Sequence, residues 1–435
     1  MLNKTRAFIT ILIFFPAIAA MGQKQVNSPY SRFNLGTLKN AAPFRSLGMG
    51  GISTAQRDNT NIYFSNPASY SAFDTTSFIF DFGLDYSIDW LSAGKDNHRS
   101  DDMNFDHMMI GFPIAKGVGI TAGIMPYSNG YYNISNSVKQ GDAGYDPVIG
   151  GYTASHAGEG GLSTFYAGAG LKLIDNLSAG VNMNILFGQI KRVNKFVFDD
   201  QFNVYHDNST ENIQVNGINF DFGLQYMLSL GKAKSLTAGI SFTPSKKYNS
   251  DYSNYIFRYT SFGTYDTVSY IGSNAGDTKL PSTIRAGITF ARTNKLTAGF
   301  DFVATKWSKS EIPGSAGYAA DTKNYLLGIE YTPDKYSNFS LIRRIDYRLG
   351  GHYGDNYLFI ENEQIREIGV TAGFGIPLGR NAYTAGTNPY SKVNFYFDYT
   401  RKTGSLANGL HNEDIISIGA SLNLYDFWFL KKKFE

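Results

Sequence analysis

From Ser77 to the end the chain alternates apolar and polar residues with a period of two, in one segment after another. In 77–86, Phe78, Phe80, Phe82, Leu84 and Tyr86 fall on one face, and Asp81, Gly83 and Asp85 on the other. Neighbouring side chains of a strand point to opposite sides, so the pattern predicts a strand with an apolar and a polar face. A second, less regular strand is predicted near 105–114 and a third over 118–127. The pattern is cleanest at 165–173, 177–185 and 218–226, and further strands open at Leu236, Ile284, Leu296, Asn324, Ile342, Ile368, Val393 and Ile416. That makes fourteen, the even number required of a bacterial single-chain barrel.

The links alternate in length. Those at 115–117, 174–176, 229–234 and 292–294 are short, while those at 128–162 and 246–279 are long and polar. A meander barrel gives this rhythm, with tight periplasmic turns and longer loops outside. Two short-side links, 332–340 and 378–391, are longer than the rule. A soluble β-sandwich would also alternate, so periodicity alone does not separate the two. Composition does: 30 Tyr, 33 Phe and 46 Gly against 17% charged residues in 435 is too aromatic and too weakly charged for an ordinary soluble chain. Strands of about ten residues fit a tilted bilayer crossing. The predicted fold is therefore all-β, a 14-stranded antiparallel transmembrane β-barrel over 76–430.

Ahead of the wall, 45–74 has no regular period and is rich in Gly, Ser, Asn and Ala. It reads as what the wall encloses, and Pro67 in Asn66-Pro67-Ala68 forces a turn just before the first strand. Residues 23–42 are polar with scattered aromatics and fit either a disordered lead-in or part of a compact plug. Met1 to Gly22 has the form of a cleaved signal peptide: Lys4 and Arg6, an apolar run from Ala7 to Ala20, then small residues. Removing it lowers the net charge from +3 to +1, which gives no electrostatic case for nucleic acid. The absence of cysteine excludes a disulfide framework and a cysteine-linked lipid anchor. Phe427-Trp428-Phe429 marks a girdle position, and 431–435 a periplasmic end.

A leader, a short segment ending in Asn66-Pro67-Ala68, fourteen strands, and a third strand carrying Pro126 after Gly119 and Gly123 resemble the FadL-type outer-membrane hydrophobic-compound channels, in the divergent form of Bacteroidetes-like bacteria. The resemblance implies an N-terminal hatch over 23–75, with Asn66, Pro67 and Ala68 as its motif. It implies a gap in the wall at strand three, with Gly123 and Pro126 as the lateral-gate candidates, through which an apolar substrate leaves into the membrane. Pro126 suits a break because proline cannot complete a strand ladder, and it equally suits a simple strand end at the rim. Tyr63, Phe64, Tyr70 and Phe73 are candidates for an apolar ligand pocket or, as the plainer role for any one of them, for packing the hatch against the wall, and Arg285 and Arg344 for a head group. Asp81, Asp85, Asp221, Asp301, Asp346 and Asp398, with Arg285, Arg344, Arg348 and Lys172, are expected to pair and hold hatch to wall.

An enzyme is not expected. The six histidines are scattered without metal-ligand spacing, no nucleophile motif is present, and Gly48-Met49-Gly50-Gly51 lacks the context of a phosphate loop. No cofactor is implied. Two functions follow: passive uptake of a hydrophobic small molecule, of long-chain fatty acid or aromatic hydrocarbon type, or a FadL-like barrel that holds a protein partner or serves a secretion system through its long loops. A monomer in the outer membrane of a Gram-negative cell, in contact with lipid, is expected for either.

Overall fold

A computed structural model describes residues 28–40, 42–93, 96–142, 145–148, 150–199, 204–260, 263, 265–315, 317–337, 339–378, 391–404 and 410–427. The wall consists of β1 (Ser77–Ala93), β2 (Asp96–Ala115), β3 (Val118–Asn129, resumed as Tyr132–Val138), β4 (Tyr152–Ile174), β5 (Leu177–Phe198), β6 (His206–Ser229) and β7 (Lys234–Thr243, resumed as Lys246–Tyr259). It continues through β8 (Tyr265–Leu280, resumed as Thr283–Arg292), β9 (Leu296–Thr305), β10 (Thr322–Tyr331), β11 (Asp346–Ile360), β12 (Glu363–Pro377), β13 (Lys392–Thr403) and β14 (Asn412–Phe427). Each strand pairs antiparallel with the next, and β14 returns to β1 from Phe427 opposite Ser77 to Asn412 opposite Ser92. Among the described residues this is a closed barrel of fourteen strands. The leader 1–22, residues 23–27, Trp428, Phe429 and the end 431–435 lie outside the described residues.

The two faces divide as the alternation predicts. On β6, Ile218, Phe220, Phe222, Leu224 and Tyr226 are exposed outward, while Asn219 and Gln225 between them are buried inward. An exposed apolar belt on strand after strand makes sense only against hydrocarbon. Several strands are longer than the alternation alone indicates. β4, β5 and β6 have 23, 22 and 24 residues, about twice what crosses a bilayer. Much of 128–162 and 246–279, expected as loop, is strand that carries the wall beyond the membrane. The expected strand start at Ile342 is also corrected: Leu341–Arg344 is one helical turn, and β11 begins at Asp346.

Residues 28–40 and 42–74 lie inside the barrel in two layers. The outer layer, Ser28 to Leu38, sits in an apolar cluster in which Tyr30 and Leu35 meet Leu162, Ile190, Ile213, Trp307 and Tyr357. Residues 23–27 being undescribed, the lead-in is packed from Ser28 on. The inner layer carries a helical turn, Phe44–Leu47, and a 3-10 turn, Pro67–Ala72. Its apolar side, Ile62, Phe64, Tyr70 and Phe73, packs with Ile79, Met109, Tyr166 and Tyr425 of the wall.

Candidate functional site

The inner layer is fixed first by the Asn-Pro-Ala turn. Asn66 has extended backbone and caps the 3-10 turn by accepting from the Ala68 amide at 3.2 Å, while Pro67 takes the first helical position, where no amide hydrogen is needed. The Asn66 amide group donates to the carbonyls of Thr54 at 2.7 Å, Leu224 at 3.2 Å and Ile240 at 3.3 Å, so one side chain ties the turn to β6 and β7. The wall makes room with glycine: a Cβ at Gly180 would overlap the Pro67 carbonyl, and one at Gly223 the Asn66 side chain.

A second tie is ionic. Arg45 grips Glu330 of β10 with two bonds, at 2.9 and 2.6 Å, and also meets Asp58 and the Tyr63 hydroxyl. Arg348 donates to Glu330 at 2.7 Å and to Asp346 at 3.2 Å, and Lys392 pairs with Asp346. Three cations and three carboxylates alternate, so each buried charge has an opposite neighbour, as burial demands. Asp301 adds a third tie by accepting the Ser53 and Thr54 amides, both at 2.7 Å.

Between the two layers lies a chamber of about 520 Å³. Lys39, Gly50, Phe64, Asp89, Asp398 and Arg285 are among its lining residues, which are mostly polar. The wall beside it is interrupted. β2 pairs with β3 only from Ala115 opposite Val118 to Met108 opposite Ile124. Beyond that point β3 keeps β4 on one side, and on the other the two-residue strand Thr37–Leu38 pairs with Asn129 and Ser128, while the Lys39 amide donates to the Tyr127 carbonyl. Pro126, at the β4 register shift, has no amide hydrogen to offer β2. Met103 and Phe105, on the stretch of β2 that pairs with β1 but not with β3, are 49% and 37% exposed, which puts the interruption at bilayer height.

The sequence-selected residues fall in three places. Pro126 and Arg285 line the chamber, as does Phe64, and Gly123 lies below the interruption, where a Cβ would strike the Tyr166 ring. Tyr63, Tyr70 and Phe73 are buried in packing or hydrogen bonds and do not line the chamber. Arg344 ends the turn before β11 and is not among the chamber's lining residues. Lys172 is corrected, because it pairs with Asp175 at a short turn, with 41% of its side chain exposed, instead of holding the inner layer. Arg45, Asp58, Glu330 and Asp89 were not selected by sequence. A glutamate on a strand of bilayer height was the available signal, since charge there faces inward and needs a partner.

A closed wall with an apolar outside, a polar inside and an N-terminal segment in its lumen defines an outer-membrane β-barrel. Solved structures share this fold at low identity. The toluene transporter TbuX of Ralstonia pickettii is 15% identical, with 88% of this chain and 98% of that one covered at a TM-score of 0.52. The toluene transporter TodX of P. putida is 12% identical over 90% and 100%, at 0.54. A Pseudomonas aeruginosa FadL homologue is 11% identical over 90% and 98%, at 0.53. Comparison with curated proteins gives no match. The chain belongs to the BamG family, whose model matches residues 1–435.

Proposed function

We propose that this barrel is a channel for hydrophobic small molecules, which pass between the inner chamber and the bilayer through the interrupted β2–β3 ladder. The observation that carries the reading is that interruption, at bilayer height and beside the chamber. Toluene transporters with the same fold add support. The two layers of 28–74 act as the hatch: they keep water from running through, and the Thr37–Leu38 strand on the β3 edge is the part that covers the opening. A lateral route suits an apolar solute, because each methylene kept out of water saves about 0.8 kcal/mol. Of the aromatic candidates, Phe64 is proposed to touch the solute, and Tyr63, Tyr70 and Phe73 to hold the inner layer.

The test is uptake of toluene and of a long-chain fatty acid by proteoliposomes. Pro126→Val supplies a backbone donor and a strand-favouring side chain, so it extends the ladder. Uptake is expected to fall severalfold while the folded, heat-modifiable band persists. Unchanged uptake would remove the interruption from the mechanism.

A second reading draws on the strands beyond the membrane. The β7–β8 hairpin leaves Tyr265 at 72% and Tyr270 at 67% exposure, on a projecting sheet where a protein partner could sit. Native mass spectrometry of the detergent-extracted barrel separates the two. A bound apolar molecule supports the channel, and a stoichiometric protein with an empty lumen supports the docking barrel.

A further inference from the structure

Among the described residues the chamber lining carries eight carboxylates, Asp85, Asp89, Asp106, Asp221, Asp301, Asp355, Glu367 and Asp398, against the permanent cations Lys39, Arg285 and Lys402. Two of those cations are already engaged, Lys39 with Asp85 at 3.2 Å and Lys402 with Glu413 at 3.1 Å. Most of the carboxylates are engaged as well: Asp301 by the Ser53 and Thr54 amides, Asp221 by Asn184 and Thr243, Glu367 by Asn356, and Asp398 by Thr400. Asp85, Asp89 and Asp301 each leave a buried Oδ1 without a hydrogen-bond partner, but Asp85 and Asp301 are engaged through Oδ2. Asp89, 6% exposed and facing the chamber from β1 with Lys402 and Lys39 nearby, makes no ion pair among the described residues. A buried carboxylate with an open acceptor asks for a donor that brings positive charge.

We propose that the chamber binds a small organic cation, an ammonium group on an apolar body, with Asp89 as its counter-ion. The inference rests on the channel reading and narrows its substrate class. Met125, Pro126, Tyr127 and Phe64 line the same chamber and offer the apolar part a surface beside the wall interruption. A carboxylate head group meets the wrong field, because the one unengaged arginine, Arg285, shares the lining with Asp221 and Asp301.

The test uses the full barrel in phosphatidylcholine nanodiscs and equilibrium dialysis with decylammonium, decanoate, decanol and potassium. Decylammonium is expected to bind at least about tenfold tighter than decanoate, and Asp89→Asn to erase about that factor while leaving decanol binding unchanged. Equal binding of decylammonium and decanoate, or an Asp89→Asn barrel that binds decylammonium as well as the parent, overturns the inference. Potassium that displaces decylammonium at matched concentration assigns the site to an inorganic cation and overturns it too. Decanol binding without ammonium preference leaves the channel standing and removes only the cation. Binding of none of the three ten-carbon probes removes both.

Discussion

Asp58 is pulled in opposite directions. Burial pushes its carboxyl up, but the Arg45 guanidinium and hydrogen bonds from Tyr63, Asn61 and Thr60 outweigh burial and lower it to about 2. An unfolded aspartate titrates near 4, so the folded group takes up its proton at lower pH than the unfolded one. Its contribution is therefore fully present above about pH 4 and is lost as pH falls through about 2. The shift corresponds to about 2 kcal/mol. Urea unfolding in detergent, followed by intrinsic fluorescence, is expected to show Asp58→Asn weaker than the parent by about that amount at neutral pH, with the gap closing toward pH 2. A gap that stays constant with acid would place the stabilisation in packing instead of charge. At this scale sequence reading stops early. Arg45 and Glu330 are 285 positions apart, and no local pattern announces that they will meet.

Single elements were more legible where lipid touches them. Phe78 to Tyr86 on β1 and Ile218 to Tyr226 on β6 alternate because one side faces hydrocarbon and the other a polar lumen, and that contrast is written in residue type. Above the bilayer both sides of a strand meet water or loops, so the stretch 152–160 of β4 carries no alternation and its sequence resembles a loop. The Thr37–Leu38 strand was illegible for another reason: two residues have no period, and only the exposed β3 edge makes them a strand. If that short strand covers the opening, fixing it should close the route. Leu38 stands opposite Ser128, and the chain has no native cysteine, so a Leu38→Cys and Ser128→Cys pair reports cleanly. Oxidised, this pair is expected to slow toluene uptake about tenfold or more, with recovery on reduction. Equal uptake in both states would show that the strand does not need to move.

For the whole molecule, the arrangement is a wall with an occupied lumen: an apolar outer layer at Tyr30 and Leu35, an inner layer tied by Asn66, Arg45 and Asp301, and a chamber between them. For the lateral passage proposed above, the place to look is the β2–β3 ladder, which stops at Met108 opposite Ile124 beside the chamber. The measurement that tests this most directly is tracer uptake through a barrel whose opening has been bridged. Asn104→Cys on β2 and Tyr127→Cys on β3 place reactive groups on either side of the interruption, both among the chamber's lining residues. Joined by a short bis-maleimide, the double variant is expected to pass toluene at about a tenth of the unbridged rate or less, a barrier increase of at least about 1.4 kcal/mol. Uptake at the same rate with the bridge in place would contradict a lateral path and leave the projecting sheet as the functional surface.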